Sequence, residues 1–349
     1  MWERNEYTPL YLQFYEALKK KILSIPVGAH IPPERSLCDT YELDRVTVRK
    51  ALALLAKEGY IERKQGSGTR VLCHEPKAGG TVLFLLCQSE HTADRLSEPF
   101  YARSLDALEE ELQKINKRLL YSKVLPQDDL AALCKSVEAQ AVILASTPDS
   151  PILKQCRALQ LPLVCYNTHV EGFPSVLVDN DSAAAISAKH LLDLGHRRIG
   201  FIHVSGNVNS EKRLGRYKIE MRNAGLPEEA LCIAEGDWSE ASGYAAAKEL
   251  LSLSDKRITA LFGGNDSMAI GAMRAAEECG LRVPQDLSII GFDGITQTPM
   301  TTLQVDVKAM AEATCMLLQH ITERPAHGIH AMVSAQFLSR ETTASPDNF

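Results

Sequence analysis

The sequence has no apolar run long enough to cross a membrane: the strongest, TVLFLLC at 81–87, falls far below the roughly 18 residues a span needs. The opening MWERNEYTPLYLQ carries acidic residues and no apolar core, so no export signal is expected and a cytoplasmic protein is predicted. Cysteines are few and scattered, at 38, 73, 87, 134, 156, 165, 232, 279 and 315, with no Cys-x-x-Cys pair and no Cys/His set at zinc spacing; reduced thiols and no metal site are expected. No G-x-G-x-x-G opens a helix and no G-x-x-x-x-G-K-S/T occurs, which removes support for a dinucleotide or nucleoside triphosphate cofactor. VSGN at 204–207 reads only as a strand exit. Without a G-x-S-x-G elbow or another catalytic constellation, no catalytic residue is assigned and an enzyme is not expected. The histidines at 190, 196 and 203 lack ligand spacing, and His196 in LGHRRIGFI is expected to end a helix.

What is present is ordinary globular material on an uneven charge map. With 349 residues, two or three domains are expected; 45% hydrophobic and 23% charged residues imply folded cores throughout. Net charge is -6, yet residues 1–75 hold 12 Lys+Arg against 10 Asp+Glu, leaving 26 against 34 for the remainder. Within 45–70 the excess is seven basic to two acidic residues, enough to meet a polyanion locally.

LYLQFYEALKKKILS spaces Tyr11, Phe14 or Tyr15, Leu18 and Ile22 as one helix face, with Lys19, Lys20 and Lys21 at its negative end. A second short helix starts after Pro32-Pro33, with Glu34 in its first turn and Leu37 and Tyr41 inward. In LDRVTVRKALALLAKEGY, Asp44 suits an N-cap, Leu43 can staple onto Val48, the row Val48, Leu52 and Leu55 faces inward, and Gly59 stops the helix. Two short helices joined by ELD, the second exposing Arg45, Thr47 and Arg49, make a helix-turn-helix fit for a major groove. YIERKQGSGTRV then reads as a hairpin with a Gly66-Ser67-Gly68 tip, Tyr60 and Glu62 facing out against Ile61 and Arg63. The competing reading is a three-helix domain with a solvated charged face; the cap and the hairpin favour the DNA-binding one.

PPERSLCDTYELDRVTVRKALALLAKEGYIERKQGSGTRV resembles the winged helix-turn-helix of the GntR family of bacterial transcription factors over residues 9–72. The resemblance implies DNA contacts from Arg35, from Arg45, Thr47, Arg49 and Lys50 of the recognition helix, and from Gly66, Ser67, Gly68 and Thr69 of the wing. Pro33 replaces the pattern's usual serine, and Asp44 the small or hydroxyl residue before the arginine; a carboxylate there caps the helix but repels a phosphate.

PKAGG at 76–80 has turn-forming composition and is read as the linker between a 1–75 DNA-binding domain and an 81–349 domain. Strand-like and helical runs then alternate, from TVLFLLC and SLDALEEELQKI through to LSIIGFDG, which predicts α/β lobes with parallel sheets, too many strands for one lobe. VDND (178–181), HLLDLGHRRIGFI (190–202), RLGRY (213–217), GDWSEASGY (236–244), NDSMAIGAM (265–273), VPQDLSIIGFDG (283–294) and MTTLQVD (300–306) together resemble the effector domain of LacI/GalR-type regulators. That resemblance implies the periplasmic-binding-protein type I fold, two lobes joined by three crossovers near 178, 293 and 325. It also implies a ligand site made of Phe100, Tyr101 and Ser146 from one lobe and Arg213, Trp238, Asn265 and Asp293 from the other, with Asp266 expected to cap its helix. Glu98 stands where asparagine is common, and Arg216 where R-L-x-G-Y has glycine, so both are expected to alter ligand preference.

A carboxylate, a guanidinium and an indole face suit a sugar, though a nucleobase would also stack. The expected protein is a ligand-responsive transcription repressor, a homodimer on palindromic operator half-sites, with a small sugar-like effector and no cofactor or membrane partner. The alternative is a non-catalytic, carrier-type sugar-binding protein.

Overall fold

The computed structural model describes residues 10–64, 68–73, 80–88, 98–146, 148–253, 257–294, 299–323 and 328–346, and these form two compact units. In the first, α1 (Leu10–Ile22), α2 (Glu34–Tyr41) and α3 (Arg45–Lys57) precede an antiparallel hairpin of β1 (Ile61–Lys64) and β2 (Gly68–Val71). Phe14, Leu18 and Ile22 of α1, Leu37 of α2, Val48, Leu52 and Leu55 of α3, and Ile61 and Val71 of the hairpin make one core. The local signals act as the sequence predicts. Asp44 accepts from the amides of Val46 and Thr47, capping α3, and Leu43 is buried in the same core as Val48. Gly59 takes φ +81° just past the end of α3, a conformation a side chain rarely allows. Arg63 differs from expectation: it is exposed, and it turns from the hairpin to the Glu34 carboxylate instead of facing inward.

The second unit alternates strand and helix. Its elements are β3 (Thr81–Cys87), α4 (Pro99–Lys114), β4 (Arg118–Val124), α5 (Leu130–Ser136), β5 (Ala139–Ala145), α6 (Ser150–Ala158), β6 (Leu163–Tyr166), β7 (Ser175–Val178), α7 (Asn180–Asp193), β8 (Ile199–His203) and α8 (Val208–Asn223). There follow β9 (Leu231–Glu235), α9 (Glu240–Ser252), β10 (Ala260–Phe262), α10 (Asp266–Glu278), β11 (Ser288–Asp293), β12 (Thr301–Val305), α11 (Val307–Glu323), β13 (His330–Val333) and β14 (Ala335–Leu338). They build two six-stranded sheets, ordered β4-β3-β5-β6-β7-β13 and β9-β8-β10-β11-β12-β14, one in each lobe. β14 runs antiparallel to β12, while β8 through β12 pair in parallel. Near-continuous burial along β3, β6, β8 and β11 is what parallel strands covered on both faces require.

Among the described residues, the chain crosses between lobes three times. The first crossing, after Val178, is where the sequence places it. The second is not at 293: β11 continues through β12 in the same sheet, and the chain returns to the first lobe at Asp306, with α11 packed on β6, β7 and β13. The third lies at Ser334, between β13 of the first sheet and β14 of the second, not near 325. Both positions depend on which sheet β12, β13 and β14 join, and pairing with distant strands decides that.

His196 ends α7 as expected, its amide donating to the Leu191 carbonyl at 3.0 Å, and its side chain, buried to 1% exposure, also joins three distant segments, within 2.9 Å of Thr259 Oγ1, 3.1 Å of Ser288 Oγ and 2.9 Å of the Ala344 carbonyl. A carbonyl only accepts, so Nε2 carries the proton and Nδ1 accepts from the Thr259 hydroxyl. Burial lowers its pKa, and the imidazole is neutral. In the same lobe, α9 and α10 meet backbone to backbone: a methyl on Gly243 would strike the Met268 backbone, and one on Gly271 the Glu240 carbonyl. This close seat fixes where α10 begins. Among the described residues, no helix is long and apolar enough to cross a membrane.

Candidate functional site

Two places gather the singled-out residues, one in each unit. In the first unit, Glu34 at the start of α2 collects three arginines: Arg45 at 3.6 Å and Arg49 at 3.0 Å from α3, and Arg63 from β1. Burial by itself would raise the Glu34 acid, but the hydrogen bond and charge of Arg49, with those of Arg63 and Arg45, outweigh it and lower the pKa. The carboxylate therefore aligns side chains of α3 and the hairpin. Arg35, Arg45, Arg49 and Lys50 are exposed, and the Lys50 ammonium lies 5.6 Å from the Tyr11 ring centre. Thr47 is half-buried, with its hydroxyl bonded to Asp44. Gly68 adopts φ +82°, and an added Cβ would sit 3.3 Å from His30 Nδ1, so both backbone and space favour glycine there. Thr69 pairs with Arg63 in the hairpin; Gly66 and Ser67 lie outside the described residues.

In the second unit, one cleft between the lobes is lined by Glu98, Phe100, Tyr101, Ser146, Asn167, Asn207, Asn209, Arg213, Trp238, Asn265 and Asp293. All seven residues expected at a ligand site are among them. Ser146, Asn167, Trp238, Asn265 and Asp293 stand at or just beyond the C-terminal ends of β5, β6, β9, β10 and β11, where open α/β sheets place their sites. Four of these positions hold strained backbone: Ser146 at φ +69°, Asn167 at +53°, Trp238 at +77° and Asp293 at +115°. Each such residue costs on the order of 1–3 kcal/mol and persists only where its surroundings hold it.

Arg213 is the cleft's buried cation. Its Nε donates to Asn180 Oδ1 at 2.7 Å and Nη1 to the Gly264 carbonyl at 2.6 Å, while its guanidinium sits 3.4 Å from the Phe292 ring centre and 5.9 Å from that of Trp238. Burial lowers its pKa to about 10, against the support of Asp293 and Asp266. Burial, then the charge of Asp266, pushes the Asp293 carboxyl well above the usual carboxylate range, with Arg213 opposing. Asp266 does not cap α10 as expected. Asn265 does, accepting from the Met268 amide at 2.8 Å, while its Nδ2 donates to the Trp238 carbonyl at 3.1 Å. Asp266 instead accepts from the Thr302 hydroxyl at 2.6 Å, fully buried.

Apart from Asn265, sequence reading missed the amide side chains. Asn180 links Arg213 to Asn209, and Asn209 reaches across to the Asn167 carbonyl at 2.9 Å. Asn207, in the VSGN turn set aside as a strand exit, caps α8 and lines the cleft. VDND was the one available signal, since it contains Asn180. Arg216 is absent from the cleft lining and pairs with Asp181 at 3.3 Å and Glu220 at 2.7 Å, so an effect on ligand preference is not supported; Glu98 does line the cleft. Among the described residues, no group of three or more His, Cys, Asp or Glu side chains is placed to hold a metal.

Comparison with known proteins follows this division. Residues 10–71 match the gntR family of bacterial regulatory proteins, and residues 188–343 match the periplasmic binding protein-like domain. The HTH-type transcriptional repressor PurR of Klebsiella pneumoniae (strain 342) is 31% identical over 220 residues, 60% of this chain and 64% of that protein. The chain thus spans just under two thirds of that relative. The arabinose metabolism transcriptional repressor of Geobacillus stearothermophilus is 28% identical over 350 residues, 92% of this chain and 93% of its own. A LacI family transcriptional regulator from Enterococcus faecium, solved with bound ribose, shares the fold with a TM-score of 0.67 at 23% identity, over 76% of this chain and 99% of that one. The chain joins a gntR-family helix-turn-helix domain to a two-lobed periplasmic-binding-protein-like domain.

Proposed function

We propose that the protein is a transcription repressor whose operator binding is set by a small, uncharged, hydroxyl-rich ligand of the sugar class. The observation that carries this reading is the convergence of Phe100, Tyr101, Ser146, Arg213, Trp238, Asn265 and Asp293 from both lobes on one cleft, in a chain that also bears a gntR-family domain. Amides, a serine and two carboxylates line it, with a single guanidinium already bonded to Asn180 and the Gly264 carbonyl. Carboxylates accept from neighbouring hydroxyls and repel phosphates and uronates, while the indole covers a ligand's C–H face. The relatives named above support a repressor and a sugar-type effector.

The cleft's free volume is about 30 Å³, against the roughly 300 Å³ of the smaller ligand sites. Entry therefore requires the lining side chains or the lobes to move, and a ligand that favours one lobe arrangement shifts the population of DNA-binding states. DNA contacts fall to Arg35, Arg45, Thr47, Arg49 and Lys50, and to Gly66, Ser67, Gly68 and Thr69 of the wing. The domains are 1–75 and 81–349 with 76–80 between them, the chain acts in the cytoplasm without catalysis, and two copies read a palindromic operator. Dimerisation supplies the phosphate contacts that one head lacks.

A thermal-shift panel of pentoses, hexoses, uronates, disaccharides and nucleosides tests the ligand class, because a ligand that binds only the native state raises Tm by mass action. A neutral sugar is expected to raise Tm in the wild type and not in Asp293→Ala. A shift given only by uronates or other anions would contradict the reading.

A further inference from the structure

Arg103, two positions after Tyr101 of the cleft, makes a direct contact between the lobes. It sits in the second turn of α4, on the first lobe, and its Nη1 donates to the carbonyls of both Asp293 and Gly294 on the second, at 3.1 Å each. These two residues take φ +115° and +79°, a turn that offers both carbonyls to one donor. Gly294 has no room to change: an added Cβ would come within 2.7 Å of the Gln304 backbone. A left-handed aspartate persists only where its neighbours over-determine it, and a charged donor on its carbonyl makes a stronger hydrogen bond than a neutral one. The Arg103 charge also favours the ionised form of Asp293. Asn209 and Asn167 form a second direct link between lobes.

We propose that Arg103 is a positioning residue of the cleft: by bonding both carbonyls of the Asp293–Gly294 turn, it fixes the direction of the Asp293 carboxylate and holds the lobes together through protein contacts alone. The proposal rests on the reading of the cleft as an effector site and adds a determinant of how readily it closes. In a two-arrangement equilibrium, losing a contact present only in the closed form raises the open population and weakens any ligand that needs closure by the same factor.

The test is made on the full chain without ligand. Spin labels are carried on unnatural amino acids at Lys135 of α5 and Glu249 of α9, exposed positions on opposite lobes, and diluted with unlabelled protein so that only distances within one chain are read. Arg103→Ala and Arg103→Gln are expected to move the distance distribution to longer values, and Arg103→Lys to give an intermediate one. Distributions that superimpose on the wild type overturn the proposal. So does a lower Tm with unmoved distances, since that marks Arg103 as a packing contact only. If the alanine variant does not fold, the glutamine variant decides. Failure of the effector reading shows separately, as no thermal shift of the wild type with any sugar.

Discussion

The Thr47 hydroxyl donates to Asp44 Oδ2 at 2.6 Å, on the carboxylate whose other oxygen caps α3 by accepting from the Val46 and Thr47 amides. The hydroxyl's one proton is thereby committed away from a phosphate. The Thr47 hydroxyl is the leading cause of the lowered Asp44 pKa, with the backbone amides adding to it. Asp44→Ser keeps a good cap, frees the threonine and deletes a negative charge from the recognition helix. Non-specific DNA affinity is expected to rise severalfold, because one like charge is removed from the phosphate's surroundings. Fluorescence anisotropy across a salt series reads this, and an unchanged affinity would count against the docking surface.

Glu34 restrains Arg45, Arg49 and Arg63 together. Long side chains ordered before binding lose less entropy on docking, and the carboxylate tempers attraction to any phosphate. Glu34→Gln is therefore expected to raise affinity for random DNA while lowering the ratio of specific to random binding. Competition binding with selected and scrambled duplexes measures that ratio; equal changes in both would contradict the organising role.

The raised pKa of Asp293 makes a signed prediction about pH. Its unfolded value is about 3.9, and burial with the neighbouring Asp266 lifts the native one. The stability it contributes is fully present below the unfolded pKa and is lost as pH rises through the native one. Asp293→Asn should flatten that part of the stability curve. Ligand affinity should run the other way, improving as Asp293 ionises. Denaturant melts from pH 4 upward test the first, and a stability curve identical in Asp293→Asn would oppose it.

His196 predicts the opposite slope. Burial lowers its native pKa below the unfolded value of about 6.5, so its contribution is lost as pH falls below that value. His196→Ala removes the imidazole partner of the Thr259 hydroxyl, while the Ala344 carbonyl keeps the Ser288 hydroxyl, and it is expected to cost about 1–2 kcal/mol. The variant should also lose part of the acid sensitivity expected below about pH 6.5.

How much was legible in the sequence depended on how local the determinant was. Asp44, Gly59 and the row Val48, Leu52 and Leu55 act within a turn or two, so spacing alone placed them. The cleft residues were legible because each follows a strand inside a recurring motif. The network was not: Asn180, Asn207 and Asn209 are ordinary loop and helix-end residues until the fold sets Asn180 beside Arg213 and Asn209 beside Asn167. The side-chain partners of His196 were illegible for the same reason, since its carbonyl partner lies 148 positions later. The crossovers at 306 and 334 depend on which sheet β12, β13 and β14 join, and strand pairing across hundreds of residues leaves no local trace.

Ligand in the cleft is expected to set the affinity of the N-terminal domain for DNA. The direct measurement is anisotropy of a duplex selected by the full chain, titrated with a sugar that raises its Tm. A change in DNA affinity of tenfold or more, about 1.4 kcal/mol of coupling between the sites, is predicted for the wild type and is lost in Asp293→Ala. DNA affinity that stays constant while the sugar binds would contradict it.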